Sequence, residues 1–299
     1  MTQAYAAAET VEDALAALAG GARAVAGGTD LVVGARQGKA PLPESIVAIH
    51  RVAELRGVES DGASLRLGAL ATHEELAEYA LVLERLTALA DAAAIVGSHA
   101  TRAQGTVGGN LMNASPAMEL GGPLLCFGAA VTLRSQSGAR SVAVADLLAG
   151  PGQTTAQPGE LLTEVTVPLP PTGSGSCYAR LEYRQQMEIA VVGATAVVTL
   201  DGDRVSAAKV AITALAPTIR LVPAAEQALV GTDGARGAAE QAAQAAAAAS
   251  EPISDVRASE DYRRAMAAVL ARRAIEAAVA RARGGSIPVP ASRFLHGAL

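Results

Sequence analysis

The chain has 299 residues, 51% of them hydrophobic, and a formal net charge of −5. That length allows about two domains of ~100–200 residues each. The negative balance, with lysine only at 39 and 209, argues against nucleic acid or an anionic membrane as partner, since both reward clustered cations.

Aromatic residues make up 2% and there is no Trp, so Val, Leu, Ile and Ala must fill the core, and any bound phosphate must be held by backbone amides or Arg. "TVEDALAAL" (10–18) is a short helix: Thr10 caps it, Asp13 stands three residues on, and Gly20-Gly21 ends it. Residues 22–26 form a strand running into "AGGTDL" (26–31), and Asp30–Gly34 leads out of that glycine pair. "SIVAI" (45–49) is a buried strand, and "GVESDGASLRLGA" (57–69) is a hairpin turning at Asp61-Gly62. Thr72 and Glu75 make a second capping box, and a longer helix is expected over about 79–95, stopped by Gly97.

Beyond the second glycine-rich loop (106–119) come another hairpin, "AAVTLRSQSGARSVAV", and a strand closed by prolines, "ELLTEVTVPLPP". "TGSGS" (172–176) has the composition of a linker or crossing. Residues 178–216 read as three antiparallel strands with a tight turn at Asp201-Gly202-Asp203. From Pro223 the chain is helical, with an Ala-rich segment (235–249) and a long helix over about 259–283, and the tail from 286 to 299 is irregular. Cys126 and Cys177 stand apart in apolar surroundings and read as buried, unreactive thiols. No signal-peptide pattern and no bilayer-spanning apolar run is visible, so a cytoplasmic location without membrane insertion is expected.

The two glycine-rich segments carry the functional signal. A Gly-Gly pair after a strand lets consecutive N–H groups turn inward as a nest for phosphate oxygens. Thr29 and Asp30 add side-chain donors and acceptors to the first segment, and Thr106, Asn110, Asn113 and Ser115 add them to the second. Either segment alone reads more readily as a simple turn, because Gly-Gly pairs are common in turns; only the two together suit a diphosphate gripped from both sides. Dinucleotide motifs of the G-x-G-x-x-G type, a P-loop and a G-x-S-x-G elbow are all missing. His50, His73, His99 and His296 lack metal-ligand spacing, so capping or surface roles are expected, with His99 alone near the second segment. No catalytic side chain and no metal site is assigned.

"AGGTDL" (26–31) and "TVGGNLMNASPAMEL" (106–120) resemble the two flavin-binding loops of the FAD subunits of molybdenum hydroxylases, the group that includes xanthine dehydrogenase and aerobic carbon monoxide dehydrogenase. "GELLTEVTVP" (159–168), "YARLEYRQQMEIAVVGATAVV" (178–198), "ITALAPTIRLVPAAEQALVG" (212–231) and "DVRASEDYRRAMAAVLARRAIEAA" (255–278) continue the resemblance in family order. It implies an α+β fold: an FAD-binding part of the vanillyl-alcohol-oxidase type with two subdomains (1–175), then a small three-stranded antiparallel sheet with a helical bundle (176–285), then the tail (286–299).

It also implies FAD as cofactor, held around the diphosphate and ribityl chain by Ala26, Gly27, Gly28, Thr29, Asp30 and Leu31 and by Thr106, Val107, Gly108, Gly109 and Asn110, with Asn113 and Ser115 beside them. Glu119 falls near the ribityl region where relatives have Asp, Leu162 matches a residue touching the isoalloxazine ring, Arg180 stands where many relatives have Lys, and Arg184 matches a common Arg. Ile189 occupies a place that is aromatic in some relatives. Against the flavin role, Arg180 and Arg184 are also expected to share a strand face and pair with Glu182 or Glu188.

The implied function is electron transfer. A large molybdopterin-binding partner hydroxylates a substrate, a small [2Fe-2S] partner relays electrons, and this subunit passes them to an external acceptor within a dimer of heterotrimers. Two rivals stand beside it: a self-sufficient flavin reductase resembling the enolpyruvyl-sugar reductases, with Ser115 or Tyr178 as proton donor, and a flavin-free scaffold.

Overall fold

The structure is a computed structural model and describes residues 4–38 and 40–295. Lys39, and the segment 296–299 that carries His296, lie outside the described residues. The first unit comprises β1 (Ala4–Ala7), α1 (Val11–Ala19), β2 (Arg23–Val25), α2 (Leu31–Arg36) and β3 (Ser45–Ala48), with β3 parallel to and between β1 and β2. Helix α1 starts on the expected capping box: Thr10 Oγ1 accepts from Asp13 N and Asp13 Oδ2 from Thr10 N, each at 3.1 Å. Its apolar face, Val11, Ala14 and Leu15, packs with Val47 and Ile49 into one cluster. The way out of the first glycine pair is helical, because Asp30 opens α2.

The second unit runs through β4 (Val58–Ser60), β5 (Ser64–Gly68), α3 (His73–Glu78), α4 (Ala80–Arg85), α5 (Thr87–Ala93), α6 (His99–Gln104), α7 (Val107–Asn113) and α8 (Gly121–Cys126). It ends with β6 (Ala130–Ser135), β7 (Gly138–Ala143), α9 (Val144–Leu147), the short ribbon β8 (Leu148–Gly150) and β9 (Gln153–Thr154), and β10 (Leu161–Pro168). Five of these strands form an antiparallel sheet in the order β4-β5-β10-β6-β7. The hairpin turns at Asp61, whose Oδ1 accepts from Ala63 N and Ser64 N, and Leu65 and Leu67 alternate into the core as a period of two requires.

Where one helix was expected over 79–95, there are two. Leu86 breaks the run at φ −125°, ψ 43°, and is itself fully buried. The break separates a surface helix, α4, from α5, in which every residue from Ala88 to Ala93 is buried. A single straight helix offers one face to the core and could not serve both.

The third unit has β11 (Ser174–Leu181), β12 (Val192–Asp201), β13 (Arg204–Thr213), β14 (Arg220–Leu221), α10 (Pro223–Leu229), α11 (Arg236–Ala248) and α12 (Glu260–Ala282). The three long strands pair antiparallel as expected, turning at Gly202, and a short fourth strand, β14, adds to the edge of β13. The stretch 172–176 is not a free linker. From Ser174 it pairs with β12, and Ser176 binds α5 through Thr87 Oγ1 to its carbonyl (2.7 Å) and Ala88 N to its Oγ (3.0 Å). The last helix starts at Ser259, whose side chain accepts from Tyr262 N.

Strand alternation sorts this sheet into two buried faces. Cys177, Ala179, Val192, Ala194, Ala196, Val198, Val210 and Ile212 join the helices α10–α12 in one aliphatic cluster. The opposite face carries Ser176, Tyr178, Arg180, Thr195 and Thr213, and lies against α5 and α8 of the second unit. Both cysteines are buried and free, and burial pushes both thiols well above their usual range.

Candidate cofactor site

The two glycine-rich segments, far apart in sequence, meet in space. A Cβ on Gly27 would lie 1.9 Å from the carbonyl oxygen of Gln104, two residues before Thr106, so only glycine permits this approach. Next to it, Gly28 holds φ at 69° and turns the chain into α2. The backbone N–H groups of Gly27, Gly28 and Thr29 donate to no acceptor among the described residues. These three unpartnered amides are consecutive, with Ala26 leading in and Asp30 and Leu31 leading out along α2.

The second segment differs from the expectation. It is not a loop but the start of α7, with Thr106 as N-cap, and its amides are already engaged. Val107 N donates to Ala71 O and Gly108 N to Ala69 O, both at 2.9 Å. Gly109 N donates to Thr106 Oγ1 at 3.1 Å and Asn110 N to Thr106 O at 2.9 Å. What this segment presents is side-chain chemistry. Asn110 Oδ1 is buried without a partner, Gly109 and Asn113 are exposed, and Ser115 is half-buried with its Oγ accepting from Ala117 N. A buried carbonyl oxygen left unpaired costs about 1–3 kcal/mol, so this atom points to a donor supplied from outside the chain.

Past Ser115 the chain reaches Glu119, which is buried beside the fully buried Arg180. Arg180 Nη1 donates to Glu119 Oε1 at 2.6 Å, and Nη2 is bonded to Glu182. Burial pushes the Glu119 carboxyl up, and the Arg180 guanidinium opposes that push. Arg180 itself pays the burial penalty, but the surrounding negative groups outweigh it and keep the guanidinium firmly charged. Two carboxylates thus share one guanidinium, and Glu119 is the acid that holds a proton more readily than usual. The pairing expected for Arg180 is present with Glu182 and extends to Glu119, which sequence alone did not connect to it. Arg184 does not share the Arg180 face. It lies beyond the end of β11, exposed, 3.7 Å from Glu188.

Leu162 is buried in β10 in the same core as Val107, Leu111 and Met118 of the α7 region. Its strand shifts register between Leu162 and Glu164. Ile189 is exposed. His99 is exposed at the start of α6; His73, where a capping or surface role was expected, stands at the start of α3 but is buried, and its pKa is lowered to about 4 chiefly by burial.

Sequence reasoning passed over two features. Asp91 on α5 is fully buried and accepts from Arg281 Nη1 (2.6 Å), Tyr178 N (3.2 Å) and Ala291 N (2.9 Å), tying three later segments to the second unit. A single charge inside the apolar run "ALADAAAIV" was the available signal. Arg102 on α6, 8% exposed, was the other, and nothing in its local sequence marks it out.

Comparison with known proteins bears on the same elements. Residues 1–170 match the family described as the FAD binding domain in molybdopterin dehydrogenase, and residues 177–278 match the CO dehydrogenase flavoprotein C-terminal domain. The chain is 34% identical over 262 residues to the carbon monoxide dehydrogenase medium chain of Afipia carboxidovorans, covering 88% of this chain and 90% of that one. It is 30% identical over 284 residues to a putative xanthine dehydrogenase FAD-binding subunit of Escherichia coli, covering 94% and 97%. The solved carbon monoxide dehydrogenase from Hydrogenophaga pseudoflava superposes with a TM-score of 0.90 at 32% identity, over 94% of this chain and 98% of that one. For quinoline 2-oxidoreductase from Pseudomonas putida the TM-score is 0.88 at 28% identity, over 94% and 98%. With the meeting of the two glycine segments, these matches establish that the chain belongs to the FAD-binding subunits of the molybdenum hydroxylases, as an oxidoreductase subunit whose cofactor is FAD.

Proposed function

We propose that this chain is the electron-transfer subunit of a molybdenum hydroxylase, built as a two-subdomain FAD-binding part of the vanillyl-alcohol-oxidase type and a C-terminal sheet-and-helix domain. Electrons reach it from the iron–sulfur clusters of a small partner, which draws on a large molybdopterin-binding partner, and leave for an external acceptor. The observation that carries this reading is the contact of Gly27 with Gln104, which sets the open amides of Gly27–Thr29 beside the α7 segment.

In this reading the three amides and Thr29 hold the diphosphate, and Thr106, Asn110, Asn113 and Ser115 hold the adjoining polar chain. Asn110 Oδ1 then gains the donor it lacks. Glu119, Arg180 and Leu162 stand toward the ring end. The cofactor supplies the redox chemistry, while the chain binds, orients and shields it. No side chain acts as nucleophile or general acid. Of the two candidate donors of a self-sufficient reductase, Tyr178 has a fully buried hydroxyl whose pKa burial pushes well above the usual phenol value, and Ser115 is half-buried with its Oγ accepting from Ala117 N.

Two measurements test the proposal. The purified chain is expected to show a flavin spectrum without NAD(P)H turnover of its own, and to co-purify with a molybdopterin protein and a small cysteine-rich one. The double variant Gly28→Val, Gly109→Val is expected to abolish FAD retention while far-UV circular dichroism keeps the C-terminal helices. Position 28 holds a positive φ, and a Cβ at 109 would press on the Thr106 cap at 2.9 Å. Full flavin retention by this variant would defeat the assignment of these segments.

A further inference from the structure

The sheet face that lies against α8 carries more hydrogen-bonding capacity than the protein itself uses. Tyr178, Arg180, Thr195 and Thr213 are each 0% exposed, and the Tyr178 hydroxyl, Arg180 Nε, Thr195 Oγ1 and Thr213 Oγ1 have no hydrogen-bond partner in the protein. Half of all such side-chain atoms among the described residues stand on this one face. Most buried polar atoms are bonded to protein or to ordered water, so a concentration of this kind marks a place where something else completes the bonding.

The strand register explains why these groups converge. Arg180, Gly193 and Thr213 are cross-strand neighbours in one row, and Tyr178 and Thr195 are neighbours in the next. Alternation puts all five on the same side of the sheet. Because the middle place of the first row is a glycine, the Tyr178 ring lies across it. A Cβ on Gly193 would be 2.8 Å from the Tyr178 hydroxyl and 3.0 Å from Thr213 Cβ. From the opposite side α8 presents Gly122, where a Cβ would be 2.4 Å from Thr195 Oγ1 and 3.1 Å from Thr213 Oγ1. Two glycines thus draw three hydroxyls together around Thr213. Groups this near to one point are within reach of a single bridging molecule, since two hydrogen bonds of ~2.8 Å span ~5 Å.

Charge decides what that molecule is. Glu119 and Glu182 already share the Arg180 guanidinium, so no positive charge is left over for an anion. Arg180 Nε can only donate, which disfavours a cation beside it. Burial keeps Tyr178 a neutral phenol. The partner must be neutral, small, and able both to accept and to donate. Water meets all three conditions, and a buried water makes about three hydrogen bonds to otherwise unpaired groups.

We propose that the seam between α8 and the β11–β13 face is a binding site for ordered water, held by the hydroxyls of Tyr178, Thr195 and Thr213, with Arg180 Nε as a further donor. The water lies where the second and third units meet. It also completes the hydrogen bonding of a guanidinium whose other nitrogens are held by Glu119 and Glu182. The site stands independently of the proposed function, because it involves no cofactor.

The test is a high-resolution crystal structure of the full wild-type chain. A solvent peak within hydrogen-bond distance of at least two of the three hydroxyls is expected. A map that shows ordered interior waters elsewhere and none here overturns the inference. An anomalous peak at this position after bromide or rubidium soaking also overturns it, because the ligand is then an ion.

Thr195→Val and Thr213→Val delete the hydroxyls and keep the shape. Loss of a bridged water predicts that each raises the unfolding constant in urea roughly two- to tenfold. The double variant is then no worse than the more harmful single one, because both lose the same water. Hydroxyls with no partner at all predict the reverse, since deleting an unpaired buried group leaves stability unchanged or improved, and that result overturns the inference. If the variants fail to fold, the wild-type map decides alone.

Discussion

At the scale of single residues, the informative side chains are polar groups placed where the surroundings are apolar. His73 is the plainest. Its ring is buried, its Nδ1 has no partner, and its pKa is lowered to about 4 from an ordinary value near 6.5. The neutral ring is therefore the form that folds, and below pH 6.5 the unfolded chain gains a proton that the folded chain refuses. Stability from this site is complete above pH 6.5 and is lost as pH falls toward 4, by roughly 3 kcal/mol in all. His73→Leu is expected to flatten that limb, read as the difference between wild-type and variant urea midpoints at pH 7 and pH 4.5. Equal pH dependence in the two would refute it. Arg180 teaches the complementary lesson: it is tolerated in full burial because Glu119 and Glu182 both reach it. The sequence offered Glu182 as its partner by proximity, but Glu119 is 61 positions away and only folding brings it there.

At the scale of elements, caps and turns were legible because their interactions are local. The Thr10 and Thr72 boxes, the Asp61-Gly62 hairpin and the Gly202 turn each close within a few residues. Legibility failed where a distant surface decided the outcome. The second glycine segment became the head of α7 because Ala69 and Ala71 offered carbonyls to its amides, and the helix over 79–95 broke because α5 is enclosed on all sides. The same α5 carries Asp91, which joins it to β11, α12 and the segment after α12. Asp91→Ala would leave two buried backbone N–H groups without their acceptor and Arg281 without its carboxylate, its guanidinium keeping only the carbonyls of Ser176 and the segment after α12. The expected loss is roughly 3–5 kcal/mol, measured by chemical denaturation. A loss under about 1 kcal/mol, the usual size for an exposed ion pair, would show that the seam is carried by apolar packing alone.

At the scale of the molecule, the C-terminal sheet does two jobs with its two faces. One face closes an aliphatic core with the last three helices, while the other turns Tyr178, Val197 and Ala211 into the core of the second unit. Because that core is shared, the second and third units are expected to unfold together, giving one calorimetric transition with equal van't Hoff and calorimetric enthalpies. Two resolved transitions in the wild-type protein would contradict the shared core.

The sequence by itself determined the local devices, the alternation of the β5 hairpin strand, a core dominated by aliphatic side chains, and the family, because each depends on residues a few positions apart or on motifs in fixed order. Tertiary structure alone decided which amides remain open, which acids reach Arg180, and that Gly27 rests against Gln104. Those outcomes depend on contacts between segments far apart in the chain, and no local spacing encodes how such segments approach.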